Sequence, residues 1–303
     1  MPLEDFLSAL DSIPSPPKHF IVAITGGEPL LRKDLEKAGR EIRKRGMRWG
    51  IVTNAHLYTE RRHSSLLNAG MGSITISLDG LEDSHNWLRN NSRSFGKVDR
   101  AIALASGSTR LNFDVVTCVN RKNLHELPEI YQYLKKKGVS AWRLFTITPI
   151  GRAVQHPDLK LTGPEFQEVM KFIVRKRNMG EMDVKFSCEG YVGAYELKVR
   201  DTPFFCRAGI NIGSVLIDGS ISACPNIDRS FVQGNIYEDS LNDVWNTRFQ
   251  PFRDRSWTRR GKCADCKDFA DCQGNGFHFW HGEKQEPLVC HKALIKEIED
   301  RPD

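Results

Sequence analysis

The stretch from Phe20 to Pro29, FIVAITGGEP, joins a short apolar run to a pair of glycines and a carboxylate. FIVAIT is mostly apolar and β-branched, which is typical of a buried strand in a parallel sheet. Paired glycines allow a ligand to approach the backbone closely, and the carboxylate of Glu28 is suited to binding an ammonium group. A tight turn without any ligand explains this stretch equally well.

The same unit of helix, glycine and strand repeats on both sides of this stretch. The predicted strands are Phe20 to Thr25, Trp49 to Asn54, Ser73 to Leu78, Asn112 to Val119 and Ala141 to Thr148. Such alternation predicts a parallel sheet covered by helices, either an open doubly wound sheet or a closed or partial barrel. Ligand sites of both architectures lie at the carboxyl ends of the strands. The loops concerned follow Thr25, Thr53, Leu78, Val119 and Thr148.

The pattern changes in the second half of the chain. A helix is predicted at 164–178, a hairpin from Ser214 to Cys224 that turns at Asp218 and Gly219, and a short helix from Ser240 to Trp245. Beyond Trp257 the sequence has little periodicity but many Cys, Gly and aromatic residues. We therefore expect one domain over 1–190 and a small metal-stabilised domain over 191–303.

Composition excludes several classes of protein. The 303 residues carry a formal net charge of +6, with Lys and Arg spread thinly, so the sequence does not predict nucleic-acid binding. No run approaches the roughly 18 apolar residues of a membrane span, and the first residues lack the features of an export signal. The sequence therefore predicts a cytoplasmic protein, in which eight cysteines are better explained as metal ligands than as disulfides.

The densest group of cysteines is Cys263, Cys266 and Cys272, followed after a gap by Cys290. Two cysteines separated by two residues can bind one metal centre from a single turn, and two more complete four-coordination. Spacing alone leaves zinc and an iron-sulfur cluster as alternatives. Each of the other four cysteines is by itself compatible with a buried structural role: Cys118, Cys188, Cys206 and Cys224. Cys118 lies inside an apolar strand, which predicts a core position.

A second polar group follows another predicted strand. Ser77, Leu78, Asp79 and Gly80 end the strand that begins at Ser73, and Arg89 comes soon after. Hydroxyl and carboxylate groups at this position suit the hydroxyls of a ribose, and a guanidinium suits a carboxylate. A capped turn is the alternative interpretation.

The ordered combination of these motifs resembles the radical S-adenosylmethionine enzymes that carry a C-terminal SPASM domain. The motifs are GGEP, then SLDG with its following Arg, then PIGRA from Pro149 to Ala153, and finally CxxCx5C. The resemblance implies a 4Fe-4S cluster on Cys263, Cys266, Cys272 and Cys290. It implies a second auxiliary site that uses Cys206 and Cys224, with Gly219 between them, and that lacks the family's further cysteine because Gly276 stands there. The alternatives for this second cluster are that it is absent, that it is degraded, or that Cys188 or a non-cysteine group completes it.

The resemblance also assigns a pocket for S-adenosylmethionine. The residues implied are Thr25, Gly26, Gly27, Glu28, Pro29, Asn54, Ser77, Asp79 and Arg89. The family's CxxxCxxC loop, which holds the cluster that cleaves S-adenosylmethionine, has no counterpart in the 303 residues. We therefore expect a partial (β/α)6 TIM-type barrel that lacks its first strand, followed by a small irregular cysteine-rich α+β domain, and we expect this chain alone to be inactive.

The function implied is modification of a peptide or protein by a radical enzyme. In the family a reduced cluster splits S-adenosylmethionine into methionine and a 5'-deoxyadenosyl radical, and the protein positions the reactants and excludes water. The expected partners are a peptide or small protein substrate, a lipoprotein among them, and an electron donor such as flavodoxin or ferredoxin. The competing hypothesis is a noncatalytic peptide-binding module stabilised by zinc or an iron-sulfur cluster. No GxSxG or HExxH pattern supports a hydrolase.

Overall fold

A computed structural model of the chain describes residues 1–14, 16–282 and 284–299. The first part alternates helices and strands as predicted. Its elements are α1 Leu3–Asp11, β1 Ile21–Ile24, α2 Leu35–Lys44, β2 Arg48–Thr53, α3 Glu60–Asn68, β3 Ser73–Ser77, α4 Glu82–Leu88, α5 Ser94–Ser106, β4 Asn112–Val119, α6 Leu127–Lys136, β5 Ala141–Thr146, α7 Gly163–Met179 and β6 Asp183–Phe186.

The six strands form one sheet in the order β1 to β6, and every neighbouring pair is parallel. This sheet confirms the predicted partial-barrel architecture. One strand, β6, is absent from the prediction made from the sequence. Two of its four residues, Asp183 and Lys185, are charged, so the run lacks the apolar content by which the other strands are recognised.

The two faces of the sheet differ in polarity. In β3, Ile74 and Ile76 are fully buried against the helices, whereas Thr75 lies on the opposite face. There the hydroxyl of Thr75 donates to Oδ1 of Asp114 over 2.6 Å, and Nε of Arg143 donates to Oδ2 of Asp114 over 2.5 Å. The inner face of the sheet is therefore a polar network and not a second apolar layer.

Strand β1 lies at the edge of the sheet and pairs only with β2 within the described part of the chain. Its Ile21 is 48% exposed. Directly after the strand, Pro29 begins a short 3-10 turn, Pro29–Leu31, because the Glu28 side chain accepts a hydrogen bond from the N–H of Leu30. This turn directs the chain away from the carboxyl end of β1 toward α2.

The second part of the chain is small and irregular, as expected. Its elements are α8 Glu196–Val199, β7 Ser214–Val215, β8 Ser220–Ser222, β9 Gly234–Asn235, α9 Leu241–Thr247, α10 Gln250–Arg253, α11 Phe269–Cys272 and α12 His291–Glu299. Strands β7, β8 and β9 form an antiparallel sheet, and the predicted turn at Asp218 and Gly219 joins the first two. A separate apolar cluster, centred on Phe249, Phe252 and Phe277, supports it.

The last helix returns to the first part of the chain. Helix α12 packs along α7, and Ile295 is buried in the same apolar core as Val184 and Phe186 of β6. Within the described residues, no helix combines the length and the apolar content that crossing a bilayer requires.

Candidate functional site

The Glu28 carboxylate joins the carboxyl ends of β1 and β2. Its Oε1 accepts hydrogen bonds from the Thr53 hydroxyl over 2.6 Å and from the N–H of Leu30 over 3.0 Å. Its Oε2 accepts from the N–H of Asn54 over 2.8 Å. These contacts place Glu28 and Asn54 together, as the sequence predicts, and hold the carboxylate in one orientation. The sequence gives no sign of the role of Thr53.

The two glycines before Glu28 border open space. A Cβ atom built on Gly26 or Gly27 would have no heavy atom within 4 Å, and Gly26 has a φ of +120°, which favours glycine. No hydrogen bond among the described residues uses the N–H of Gly26 or Gly27. This backbone is thus free to contact a ligand, which fits the interpretation as a binding loop.

Asp79 and Arg89 are brought together at the end of β3, but they pair with each other. Arg89 Nη2 lies 2.5 Å from Asp79 Oδ2, and the carboxylate is 2% exposed. Asp79 Oδ1 accepts a hydrogen bond from the N–H of Cys118 over 2.9 Å. The pair therefore fixes β3 to β4, while the half-buried Ser77 lies on the inner face of the sheet beside it.

Three residues that sequence reasoning missed hold the Asp79 loop. His85 Nδ1 accepts from the N–H of Asp79, and the amide of Asn123 donates to the Asp79 carbonyl over 2.7 Å. Gly80 has a φ of +152°, and a Cβ there would lie 2.9 Å from Oε2 of Glu126. Glu126 in turn accepts from the N–H of Leu81. Polar residues such as these do not show from the sequence alone which loop they will contact.

Cys118 is not a core residue, contrary to the expectation from its apolar strand. It shares the inner face of β4 with Asp114, whereas Val115 and Val119 on the other face are fully buried under the helices. Burial raises the pKa of its thiol, and the nearby carboxylates of Asp79 and Glu189 raise it further. The thiol therefore lies at the carboxyl end of the sheet, protonated at neutral pH.

Glu189 connects the sheet to the cysteine-rich part of the chain. Its Oε2 accepts hydrogen bonds from the N–H and the hydroxyl of Thr146, at the end of β5, over 2.8 and 2.7 Å. The same oxygen lies 3.6 Å from Nε2 of His291, which begins α12 directly after Cys290. The cysteine-rich part is thus anchored at the end of the sheet that carries the loops described above.

Cys263, Cys266, Cys272 and Cys290 line one cavity. The space free of protein atoms measures about 380 Å³ including its opening, and Tyr191, Phe269 and Asn275 are among the other residues that line it. Burial raises the pKa of Cys263 to about 11 and that of Cys272 to about 12, and the Cys290 thiolate raises both. The four thiols are therefore close neighbours that a metal centre would deprotonate on binding.

The arrangement of these thiols bears on the two metals that spacing left open. Within the described residues, no three His, Cys, Asp or Glu side chains are placed to hold a single metal ion. A tetrahedral zinc site needs all its sulfurs about 2.3 Å from one point. Four thiols that line one cavity fit a larger group with several metal atoms.

Cys188, Cys206 and Cys224 form a second group of thiols. Burial raises the pKa of Cys188 and of Cys224, the latter to about 11, and the Cys206 thiol raises both further. Cys206 is buried in the apolar cluster of the second part of the chain, and Cys224 packs against that cluster. Cys188 keeps surface that is exposed to solvent. The structure thus brings Cys188 to the predicted pair Cys206 and Cys224.

Comparisons with known proteins agree with this architecture. The radical SAM superfamily matches residues 1–134, and an iron-sulfur cluster-binding domain, SPASM, matches residues 206–267. The AdoMet-dependent heme synthase of Oleidesulfovibrio alaskensis is 25% identical over an alignment 303 positions long, which covers 93% of this chain and 77% of the relative. The PqqA peptide cyclase of Bradyrhizobium diazoefficiens is 24% identical over an alignment 300 positions long, which covers 92% of this chain and 76% of the relative.

Solved structures share the fold. Streptococcus suis SuiB bound to S-adenosylmethionine has a TM-score of 0.66 at 17% sequence identity, and the match covers 93% of this chain and 70% of SuiB. SuiB bound to the precursor peptide SuiA also has a TM-score of 0.66. The fold and the cysteine groups define a partial barrel followed by a small cysteine-rich domain. The chain belongs to the radical SAM superfamily and carries a C-terminal SPASM domain.

Membership implies iron-sulfur clusters and S-adenosylmethionine, and the residues present fit both in part. The four thiols around the cavity fit a 4Fe-4S cluster. The open backbone at Gly26 and Gly27 and the rigid carboxylate of Glu28 fit the amino acid end of S-adenosylmethionine. The assignment of individual residues to this pocket stays a prediction.

Proposed function

We propose that this chain is the substrate-binding and auxiliary-cluster part of a radical enzyme that modifies a peptide or protein. The observation that carries the proposal is the contact of Thr146, Glu189 and His291. In this contact the loop after β6 and the first residue of α12 meet the end of β5, which supports a substrate site at the strand ends that the auxiliary cysteines would border. The similarity to PqqA peptide cyclases supports a peptide as substrate.

The chain's own residues would hold S-adenosylmethionine at the strand ends. The N–H groups of Gly26 and Gly27 would donate to its carboxylate, and Glu28, oriented by Thr53 and Asn54, would meet its ammonium group. The half-buried Ser77, on the inner face of the sheet, would lie toward the ribose. A reduced cluster supplies the electron for cleavage, and this cluster needs three cysteines and an open iron site.

The 303 residues by themselves should not cleave S-adenosylmethionine. They contain no CxxxCxxC motif, and Cys118 is the one cysteine on strands β1 to β6. The four thiols of Cys263, Cys266, Cys272 and Cys290 would saturate their own cluster. We therefore propose that cleavage requires a CxxxCxxC segment that this stretch of sequence does not contain.

Chromatography for 5'-deoxyadenosine tests this directly. The chain and a version extended upstream by a strand with CxxxCxxC are both reconstituted with iron and sulfide and given S-adenosylmethionine and a reductant. We expect product from the extended version only. Equal turnover by the two would show that other residues do the chemistry, and no turnover by either would favour a noncatalytic module.

A second candidate substrate is an iron tetrapyrrole, because three relatives that cover about nine-tenths of this chain are named AdoMet-dependent heme synthases. Binding separates the two candidates. Iron coproporphyrin III is titrated into the reconstituted chain and followed by its visible absorption, and an array of precursor peptides that includes PqqA and SuiA is probed in parallel. Peptide capture without a change in the porphyrin spectrum supports the first candidate, and saturable porphyrin binding alone supports the second.

A further inference from the structure

A groove on the outer surface of the partial barrel separates α6 from α7. The space free of protein atoms measures about 900 Å³ including the solvent at its opening. The two helices meet after the groove, where Nζ of Lys176 lies 4.3 Å from the centre of the Tyr131 ring. Before the groove, Nε of Arg121 donates to Oε1 of Glu165 over 2.8 Å. These two contacts bound the groove along the direction of the helices.

The bottom of the groove is apolar. Leu127 and Phe172 line it and are 2% and 4% exposed, and Leu124 beside them is half-buried. The Phe172 ring packs edge-on against that of Trp142, with the ring centres 6.0 Å apart, so it belongs to the core of the barrel. An apolar side chain placed in this groove would therefore lose contact with water.

The walls of the groove carry an excess of positive charge. Lys171 and Arg175 lie on the face of α7 that also contains Phe172, and both are exposed. Neither forms an ion pair within the part of the chain that the structure describes. Glu168 is the one carboxylate among the described residues that line the groove. Exposed cations alone would be an ordinary solvated helix face, but here they flank an apolar bottom.

The groove begins beside the loops of the candidate site. Asn120 and Asn123 follow β4, and the amide of Asn123 donates to the carbonyl of Asp79 over 2.7 Å. Arg121, between them, lines the first end of the groove. A peptide with one side chain at the carboxyl ends of the strands can therefore extend past this loop into the space between α6 and α7.

We propose that the groove between α6 and α7 binds an acidic segment of the peptide or protein substrate. An apolar side chain of the segment lies on Leu127 and Phe172, and its carboxylates meet Lys171 and Arg175, because complementary charge favours an anionic partner. Apolar anchors in a groove between helices are a recurrent mode of peptide recognition. An inorganic anion alone would leave the apolar bottom unused. The inference rests on the proposed function in taking the partner to be the substrate.

Fluorescence anisotropy tests the groove with a labelled amphipathic peptide that has leucine on one face and glutamate on the other. Its control carries glutamine in place of every glutamate and should bind at least about tenfold more weakly. The double variant Lys171→Glu with Arg175→Glu should weaken binding of the glutamate peptide by a similar factor. Arg40→Glu with Arg100→Glu changes the net charge equally at exposed positions of α2 and α5 and should not weaken it. Equal binding of the two peptides, or equal weakening by the two double variants, would overturn the inference.

A reversal of charge separates lost contacts from lost folding. The protein with Lys171→Glu and Arg175→Glu should bind a peptide that has lysine in place of glutamate, whereas the unaltered chain should not. Circular dichroism and urea denaturation establish that the variant is folded. A folded variant that binds neither peptide would show that these two side chains do not select the charge of the partner.

Photo-cross-linking locates the bound peptide. A benzoylphenylalanine in place of His125, an exposed residue that lines the groove, should capture the glutamate peptide, and one in place of Arg40 should not. Two results would assign the groove to another occupant and refute the inference. The first is broadening of the phosphorus resonance of inorganic phosphate without any peptide capture, and the second is a dimer in light scattering that Lys171→Glu dissociates.

The version of the chain extended by CxxxCxxC distinguishes this inference from the proposed function. The double variant at Lys171 and Arg175 should leave its formation of 5'-deoxyadenosine without peptide unchanged, because the groove lies outside the strand ends. If the extended version forms 5'-deoxyadenosine but no peptide enters the groove, the inference alone is wrong. If no 5'-deoxyadenosine forms, the proposed function is wrong, whatever the groove binds.

Discussion

Oε2 of Glu189 lies 3.6 Å from Nε2 of His291, and both side chains are almost completely excluded from solvent. The contact links the loop after β6 to the first residue of α12, 102 positions later in the chain, and Thr146 adds the end of β5. Since His291 follows Cys290, the position of this predicted cluster ligand depends on the buried carboxylate. A buried polar contact therefore accompanies the apolar packing of α12 on α7 in linking the cysteine-rich part to the sheet.

Replacing Glu189 with Ala should lower the free energy of unfolding by about 2–4 kcal/mol, because the N–H and hydroxyl of Thr146 lose their acceptor in a buried position. Urea denaturation under anaerobic conditions measures the change. Glu181→Ala, which removes an exposed ion pair with Lys135, is the matched control and should have a much smaller effect. An equal decrease in the free energy of unfolding of the two variants would mean that the buried contact stabilises the fold no more than an exposed ion pair does.

Binding of S-adenosylmethionine to the chain should be weak but measurable by titration calorimetry. Glu28→Ala should weaken it at least about tenfold, which corresponds to about 1.4 kcal/mol, because the carboxylate both faces the ligand and fixes the ends of β1 and β2. Arg89→Ala should weaken it too, since Asp79 loses its partner. Glu82→Ala, on an exposed position of α4, should leave binding unchanged. Retained binding in both the Glu28 and Arg89 variants would place the ligand elsewhere.

The cluster at Cys263, Cys266, Cys272 and Cys290 should be required for the fold of the loops around it. These loops contain little periodic apolar sequence, so ligation supplies part of their folding free energy. Cys272→Ala should therefore make the region from Gly261 to Gly282 sensitive to proteolysis, whereas Cys118→Ala should not. Stoichiometric zinc without sulfide in the purified chain would contradict the assignment of this site.

Much of the fold follows from local sequence. Five of the six parallel strands are predicted because β-branched runs end at glycines and polar loops. Strand β6 is missed because its burial comes from partners distant in sequence, as when Phe186 packs 5.7 Å from the rings of both Phe166 and His291. A run of only four residues is too short for its sequence pattern to show this burial.

The candidate site likewise contains residues that sequence motifs predict and residues that only tertiary packing brings into place. The loop with Glu28 and the four-cysteine group follow from motifs, since neighbours in sequence supply most of the chemistry. The inner-facing position of Cys118 was not predicted, because an apolar strand does not show which of its faces meets the helices. The group formed by Cys188, Cys206 and Cys224 depends on tertiary packing, as does the buried Arg255 that lies against it. Single polar residues of this kind have no signature in sequence.

Strand β1 should promote self-association, because it lies at the sheet edge with unpaired backbone groups and with Ile21 48% exposed. Ile21→Lys should reduce light scattering at high protein concentration without loss of stability, since a charge on an edge strand disfavours pairing with another chain. Leu31→Lys alters a more exposed apolar residue outside the strand and is the control. Equal reduction by both variants would indicate general solubility and not edge pairing.

The stability of the chain should fall in mild acid because of His85. Its Nδ1 accepts a hydrogen bond from the N–H of Asp79 over 3.0 Å, and Nε2 lies 2.9 Å from the Ser94 hydroxyl. Burial lowers the pKa of His85 from its ordinary 6.5 to about 4, and Arg89 contributes in the same direction against the opposing effect of Asp79. The imidazole therefore stays neutral in the folded protein at pH values where the unfolded chain already binds a proton.

Because the unfolded chain binds more protons below pH 6.5, the free energy of unfolding should decrease as the pH falls toward 4. Between pH 7 and about pH 5 the loss attributable to His85 should be about 2 kcal/mol, and it should vanish above pH 7. His85→Gln should be less stable at pH 7 but should lack this part of the pH dependence, whereas His125→Gln, on an exposed side chain, should keep it. Urea denaturation of the three proteins at both pH values, under anaerobic conditions with the clusters in place, measures the difference. Since cluster loss in acid would affect all three proteins alike, only the contrast between the His85 and His125 variants counts. An identical pH dependence in these two variants would show that His85 is not the group whose protonation destabilises the Asp79 loop.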